Sequence, residues 1–149
     1  MSVASKPPGY PSRLPPLSFL VHPDPERLER EHQSLSQGWP GQLVSVSRVL
    51  AQALSQTPRE TWALAAQDSL NKAISDQGPG AVLCTDLVLL FEPALAIDPL
   101  ALLQKCASKV TLVVLWPGRY QDGVLTFGDP EHAHCRRWHA PNLSVTTLR

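Results

Sequence analysis

The sequence is poor in cysteine and in charge. Its three cysteines, Cys84, Cys106 and Cys135, are an odd number without paired spacing, which argues against a disulfide framework and favours a reduced, cytoplasmic compartment. Charged residues make up only 17% of the chain, and 13 basic side chains balance 13 acidic ones. A net charge of zero provides no general attraction to nucleic acid, so any such binding would need a local basic patch.

The sequence also has no apolar run of the length that crosses a membrane, about 18 residues. Residues 1–16 lack the apolar centre of a signal peptide and carry five of the fifteen prolines. Because proline removes backbone donors, we expect residues 1–16 to form a flexible arm and residues 17–149 to form one domain.

The most hydrophobic part of the chain lies in its second half. Two apolar runs, residues 81–91 and 110–116, flank an amphipathic segment that begins at Asp98 and Pro99. This pattern is typical of buried parallel strands joined by a crossover helix. The first run is either one strand to residue 91, or a strand ending at Thr85 followed by a short helix.

The rest of the chain supplies weaker elements. In the first half we expect a short edge strand at residues 17–21, a surface helix capped by Asp24 at residues 24–37, and a loop at residues 38–45. Two amphipathic helices follow, at residues 46–57 and 58–76. Near the C-terminus we expect two short strands, at residues 124–127 and 143–148, with an irregular segment between them at residues 128–142. Helices that alternate with apolar strands indicate an α/β three-layer sandwich with a largely parallel sheet.

The loop from Gly38 to Ser45 partly matches a phosphate-binding loop, G-x-x-x-x-G-K-[ST]. Gly38, the internal Gly41 and Ser45 suit that pattern, but Leu43 and Val44 replace the second glycine and the lysine. The alternative, which we favour, is a Gly-Pro turn between two helices.

Asp86 follows residues 81–85 of the first apolar run, at a position where nucleotidases hold magnesium. No acidic residue comes next to activate water, so the favoured alternative is a helix N-cap for residues 86–91.

Two groups of residues lie near the C-terminus. His132, His134, Cys135 and His139 are zinc-ligand types, but their order matches no common closed site and we expect no metal there. Aromatic and cationic residues form the second group, which suits a protein interface or a nucleic-acid backbone: Trp116, Arg119, Tyr120, Arg136, Arg137 and Trp138.

The segments LLFEPALAIDPLALLQ and TLVVLWPGRYQDGVLTFGDPEH resemble the C-terminal half of the small P-loop protein (BrxF) of BREX phage-exclusion systems. The resemblance covers about residues 81–139 and extends weakly back to Gly38. It implies a P-loop NTPase-like fold and a role in defence against phage.

The chain departs from that family at the nucleotide motifs. Leu43 and Val44 replace the P-loop glycine and lysine. Thr85 and Val88 occupy the positions of the Walker B acids, with Asp86 one residue out of register. Since charge neutralisation and positioning supply most of phosphoryl-transfer catalysis, we expect the fold to be retained and ATP hydrolysis to be lost.

Three hypotheses follow. The first is a non-catalytic, cofactor-free interaction subunit of a BREX-like assembly. Its expected partners are other defence proteins, with self-association, or contact with DNA through the complex, as further options. The second is an atypical ATPase, in which Ser45 and Asp86 hold magnesium and Arg48 or Arg119 replaces the lysine. The third is a nucleic-acid-binding module that uses Arg119, Arg136, Arg137 and the nearby tryptophans.

Overall fold

A computed structural model describes residues 15–76, 80–108, 110–127 and 136–149. The strands are β1 (Leu17–His22), β2 (Gln42–Ser45), β3 (Val82–Thr85), β4 (Leu112–Gln121), β5 (Val124–Phe127), β6 (Arg136–His139) and β7 (Ser144–Thr147). The helices are α1 (Pro25–Ser36), α2 (Val46–Leu54), α3 (Trp62–Ser75) and α4 (Pro99–Cys106), with 3-10 turns at Arg59–Thr61, Val88–Phe91 and Pro93–Leu95.

Five strands form a parallel sheet in the order β2-β3-β4-β1-β7. This confirms the predicted α/β class and the largely parallel sheet. The predicted strand at residues 17–21 exists as β1, but its expected place at an edge is wrong, because β1 pairs with both β4 and β7.

The two faces of the sheet are covered unequally. Helices α2, α3 and α4 pack on one face around a large core that includes Leu50, Leu70, Leu103 and Trp116. Helix α1 packs on the other face through Leu28, Leu35 and their apolar neighbours on β1, β3 and β4. Consequently the outer part of that face, at edge strand β2, is left partly open, and Leu43 is 45% exposed.

The helix starts follow from local sequence. The side chains of Asp24, Ser45 and Asp98 cap α1, α2 and α4 by accepting hydrogen bonds from backbone N–H groups in the first turn. Proline occupies the first position of α1 and α4, where its missing N–H costs nothing. The predicted caps Asp24 and Asp98 are therefore confirmed.

Strand β4 continues beyond the parallel sheet and pairs with the antiparallel strand β5, which in turn pairs with β6. Asp122 and Gly123 join β4 to β5 with φ values of 52° and 77°, as a two-residue hairpin turn requires. The segment after Trp116 is thus largely strand, and β6 lies within the segment of residues 128–142 that was predicted to be irregular.

Two further local predictions are wrong. Residues 42–45 are strand β2 rather than loop, because pairing with β3 orders them. Asp86 does not cap the 3-10 turn Val88–Phe91, whose N-cap position is Leu87 and which has no side-chain cap. The first apolar run does end as a strand at Thr85.

The arm predicted for residues 1–16 lies, apart from residues 15 and 16, outside the described ranges. Among the helices that are described, none is long and apolar enough to span a bilayer.

Candidate functional site

A large cleft lies at the carboxyl ends of β2, β3 and β4, between α1 and α2. Its volume is about 690 Å³. In open parallel sheets, ligands generally bind beyond these ends, because chain connections leave a crevice there. The lining combines apolar side chains with a few polar ones: Pro25, Leu28, Glu29, His32, Leu43, Val44, Ser45, Arg48, Val49, Ala73, Thr85, Asp86, Leu87, Val88, Leu115 and Pro117.

Ser45 and Asp86 meet in this cleft, although 41 positions separate them in the sequence. The Ser45 hydroxyl lies 3.4 Å from Asp86 Oδ2 and also accepts a hydrogen bond from the N–H of Arg48. The N–H of Ser47 donates to the carbonyl oxygen of Asp86 at 2.8 Å, and Ser47 Oγ accepts from the N–H of Leu89. The first turn of α2 is therefore tied to the segment that follows β3.

Asp86 has a left-handed backbone conformation, with φ of 54°. Most residues avoid this region because Cβ crowds the backbone, but aspartate tolerates it better than most. The reversal turns the chain out of β3 and keeps the carboxylate beside Ser45 at the mouth of the cleft.

Gly38 and Gly41 do not reach this site. They precede β2, whereas Ser45 ends it, so the strand separates the two ends of the candidate phosphate loop. A Cβ on Gly41 would overlap the carbonyl oxygen of Ala81, which also accepts hydrogen bonds from Gln42 N–H and Trp39 Nε1. Gly41 thus permits a close backbone approach that aligns β2 with β3.

The junctions between strands and helices are short. Two residues, Pro23 and Asp24, separate β1 from α1, and α2 begins directly after Ser45. A phosphate-binding loop needs several residues between a strand and its helix, so that backbone N–H groups can surround the phosphates. Neither junction has room for such a loop.

Other features of the cleft come from tertiary packing. Arg48 lines it, whereas Arg119 lies on the β4 extension and does not. His32 projects from α1, with Nδ1 3.6 Å from Glu29 Oε2. Thr85 is buried, while Val88 is 62% exposed. Sequence reasoning missed His32 and the exposure of Leu43, since neither follows from a local pattern.

The six residues predicted as an interaction surface divide between two sides of the β4-β5-β6 sheet. Trp116 is fully buried, and its Nε1 donates to the carbonyl oxygen of Thr126. Trp138 packs edge-on against it at 5.3 Å between ring centroids and donates to Asp98. These tryptophans are structural, so Trp116 cannot contact a partner.

The remaining members are more accessible. Tyr120 is half-buried and donates to the carbonyl oxygen of Ala140. Arg136 lies over the Trp138 ring and donates to the carbonyl oxygen of Ile97. Arg119 and Arg137 are exposed.

The cysteines and the histidines near the C-terminus form no reactive or metal site within the described ranges. Burial raises the pKa of the Cys84 thiol to about 12, helped by the nearby Cys106, so this thiol stays protonated and inert. His132, His134 and Cys135 lie outside the described residues, and His139 is exposed on β6. No group of three or more potential ligands among the described residues is arranged to hold a metal ion.

Comparison with protein-family models, curated proteins and solved structures found no match to this chain.

Proposed function

We propose that this chain is a non-catalytic, P-loop-like interaction subunit of a BREX-like anti-phage defence assembly. The family assignment rests on the resemblance of residues 81–139. One structural observation supports the loss of catalysis: the junctions after β1 and β2 are too short for a phosphate-binding loop.

The cleft supports the interaction role. Among the described residues, three large hydrophobic side chains are exposed. Leu43 and Val88 line the cleft, and Leu64 lies elsewhere on α3. Exposed apolar side chains beside a concave surface are typical of sites that bind partners. The face of the sheet on which α1 packs is also partly open at β2, which leaves space for an element of another protein.

Nucleotide binding is tested by titrating the full chain with ATP and magnesium in a calorimeter. We expect no heat of binding at millimolar nucleotide, and no magnesium-dependent release of phosphate. Micromolar binding together with hydrolysis would contradict the proposal.

The interaction surface is tested by co-purification with the methyltransferase and with the ATPase of a BREX-like system. Leu43→Glu and Val88→Glu place a charge on the cleft and should abolish association. Leu64→Glu is the matched control, because Leu64 is at least as exposed as Leu43 and Val88 but lies outside the cleft. Equal loss with all three variants, or with none, would refute the assigned surface.

A second candidate function is an atypical nucleotide-dependent enzyme. The observation that favours it is the contact between Ser45 and Asp86, with Arg48 lining the same cleft. In that case Ser45→Ala and Asp86→Ala should abolish turnover, whereas Arg119→Ala should have no effect. Turnover that persists in the Ser45 and Asp86 variants would exclude this function.

A further inference from the structure

The outer face of the β4-β5-β6 sheet presents two arginines in one row. In the register of these antiparallel strands, Arg119 lies opposite Thr126, and Thr126 lies opposite Arg137. Directly opposed residues project to the same face, and adjacent strands are about 4.8 Å apart. The two arginines therefore flank Thr126 with about 10 Å between their Cα atoms, as two strand spacings require.

The opposite face of this small sheet is occupied by the protein core. Leu125 is fully buried there, and Tyr120, Phe127 and Trp138 pack against the core cluster. Phe127 stacks on Phe91 with 3.7 Å between ring centroids. Because the aromatic side chains turn inward, the outward face carries charge without an aromatic platform.

No carboxylate neutralises this face in the part of the chain that the structure describes. Neither Arg119 nor Arg137 forms an ion pair there. The register places six described residues on this face, and none of them is acidic: Arg119, Gln121, Val124, Thr126, Arg137 and His139. The nearest acidic residue along these strands is Asp122, in the turn at one end of the sheet. The balanced net charge of the whole chain conceals this local excess.

We propose that this face binds the phosphate backbone of duplex nucleic acid. Guanidinium groups match phosphate oxygens in a two-pronged geometry, and a row of cations on a flat strand surface complements a regular polyanion. A protein partner would need buried apolar or aromatic anchors, and among the residues of this face only Val124 is apolar. Single strands are usually held by stacked aromatic side chains, which point to the other face here.

The proposal is tested by fluorescence anisotropy of the full chain with a labelled duplex of about 20 base pairs between about 50 and 200 mM salt. Two neutralised phosphates give a slope of about −1.8 for log affinity against log salt, or a loss of about 12-fold over this range. Arg119→Gln combined with Arg137→Gln should remove that dependence and most of the binding. The proposal also requires a single strand of the same sequence to bind more weakly than the duplex.

Arg30→Gln is the matched control. Arg30 is also exposed, but it lies on α1 among the acidic residues Glu26, Glu29 and Glu31, and we expect its replacement to leave the salt slope unchanged. Undetectable duplex binding at the lowest salt, an unchanged slope in the double variant, or tighter binding to the single strand would each overturn the proposal. These outcomes do not depend on the cleft, so they are separate from the tests of the proposed function.

Discussion

Replacing Trp116 with phenylalanine tests how the antiparallel extension is attached to the main sheet. Trp116 is completely buried and contacts Phe19, Phe91 and Trp138 edge-on, at centroid distances of 5.6, 4.9 and 5.3 Å. Its Nε1 donates to the carbonyl oxygen of Thr126 on β5 at 2.9 Å. This one side chain therefore joins the core of the parallel sheet to the strands that carry the basic face.

Phenylalanine keeps an aromatic ring at this position but removes the indole N–H and part of the volume. The lost hydrogen bond costs about 1 kcal/mol, and a cavity of at least a methyl group costs about 1 kcal/mol more. We expect the free energy of unfolding to fall by about 2 kcal/mol, which lowers the melting temperature by about 4–8 °C in a chain of this size. Trp116→Ala should cost about 3–5 kcal/mol, since it also removes the three ring contacts.

The measurement is urea unfolding followed by far-ultraviolet circular dichroism, with the dependence on urea concentration compared between variants. Trp62→Phe is the matched control. Trp62 Nε1 also donates to a backbone carbonyl, that of Thr57, but the Trp62 side chain is only half-buried. A loss for Trp116→Phe no larger than that for Trp62→Phe would refute the idea that Trp116 holds the extension in place.

Three further changes have definite expected outcomes. The pKa of the Cys84 thiol is about 12 in the folded state, whereas its ordinary value, expected in the unfolded chain, is 9.0. The Cys84 thiol therefore contributes its full stabilisation below pH 9. Above pH 9 the free energy of unfolding should fall by up to about 1.4 kcal/mol per pH unit, which is measured by unfolding the protein at a series of pH values. Asp98→Ala removes both the cap of α4 and the acceptor for Trp138, so urea unfolding should show a loss of about 2 kcal/mol. Gly41→Ala forces a Cβ against Ala81 and should cost about 1–3 kcal/mol in the same assay.

Each change has its own control. Cys84→Ala should abolish the extra loss of stability above pH 9, and an unchanged pH profile would show that another group causes it. Asp24→Ala removes a helix cap without a second acceptor role and should cost about 1 kcal/mol, or half the effect at Asp98. Gly38 has open space around it, so Gly38→Ala should change stability by less than about 0.5 kcal/mol. Equal effects at Gly38 and Gly41 would contradict the close approach to Ala81.

The predicted elements that proved correct depend on local chemistry. Asp24 followed by Pro25, and Asp98 followed by Pro99, mark helix starts because a side-chain acceptor and a preset φ act within one turn. Apolar runs too long for a surface strand indicated β3 and β4 as buried parallel strands. The missed elements β2 and β6 are short, and their strand conformation depends on pairing with a distant partner rather than on their own residues.

The candidate site divides in the same way. The sequence alone determined that a helix begins just after Ser45, that Asp86 follows a buried strand, and that the usual glycine and lysine of a phosphate loop are replaced. It also placed arginines and aromatic residues close together near the C-terminus. The sequence did not determine which of these residues share a surface, because that depends on contacts between segments far apart in the chain.

Tertiary structure decided those relationships. Parallel pairing of β2 with β3 brings Ser45 to Asp86 and moves Gly38 and Gly41 to the opposite end of the strand. The pleat of the antiparallel extension sends Trp138 into the core and leaves Arg137 outside, although the two residues are adjacent in sequence. Side chains alternate between faces along a strand, so strand register, which local sequence does not encode, separates the structural tryptophans from the exposed arginines.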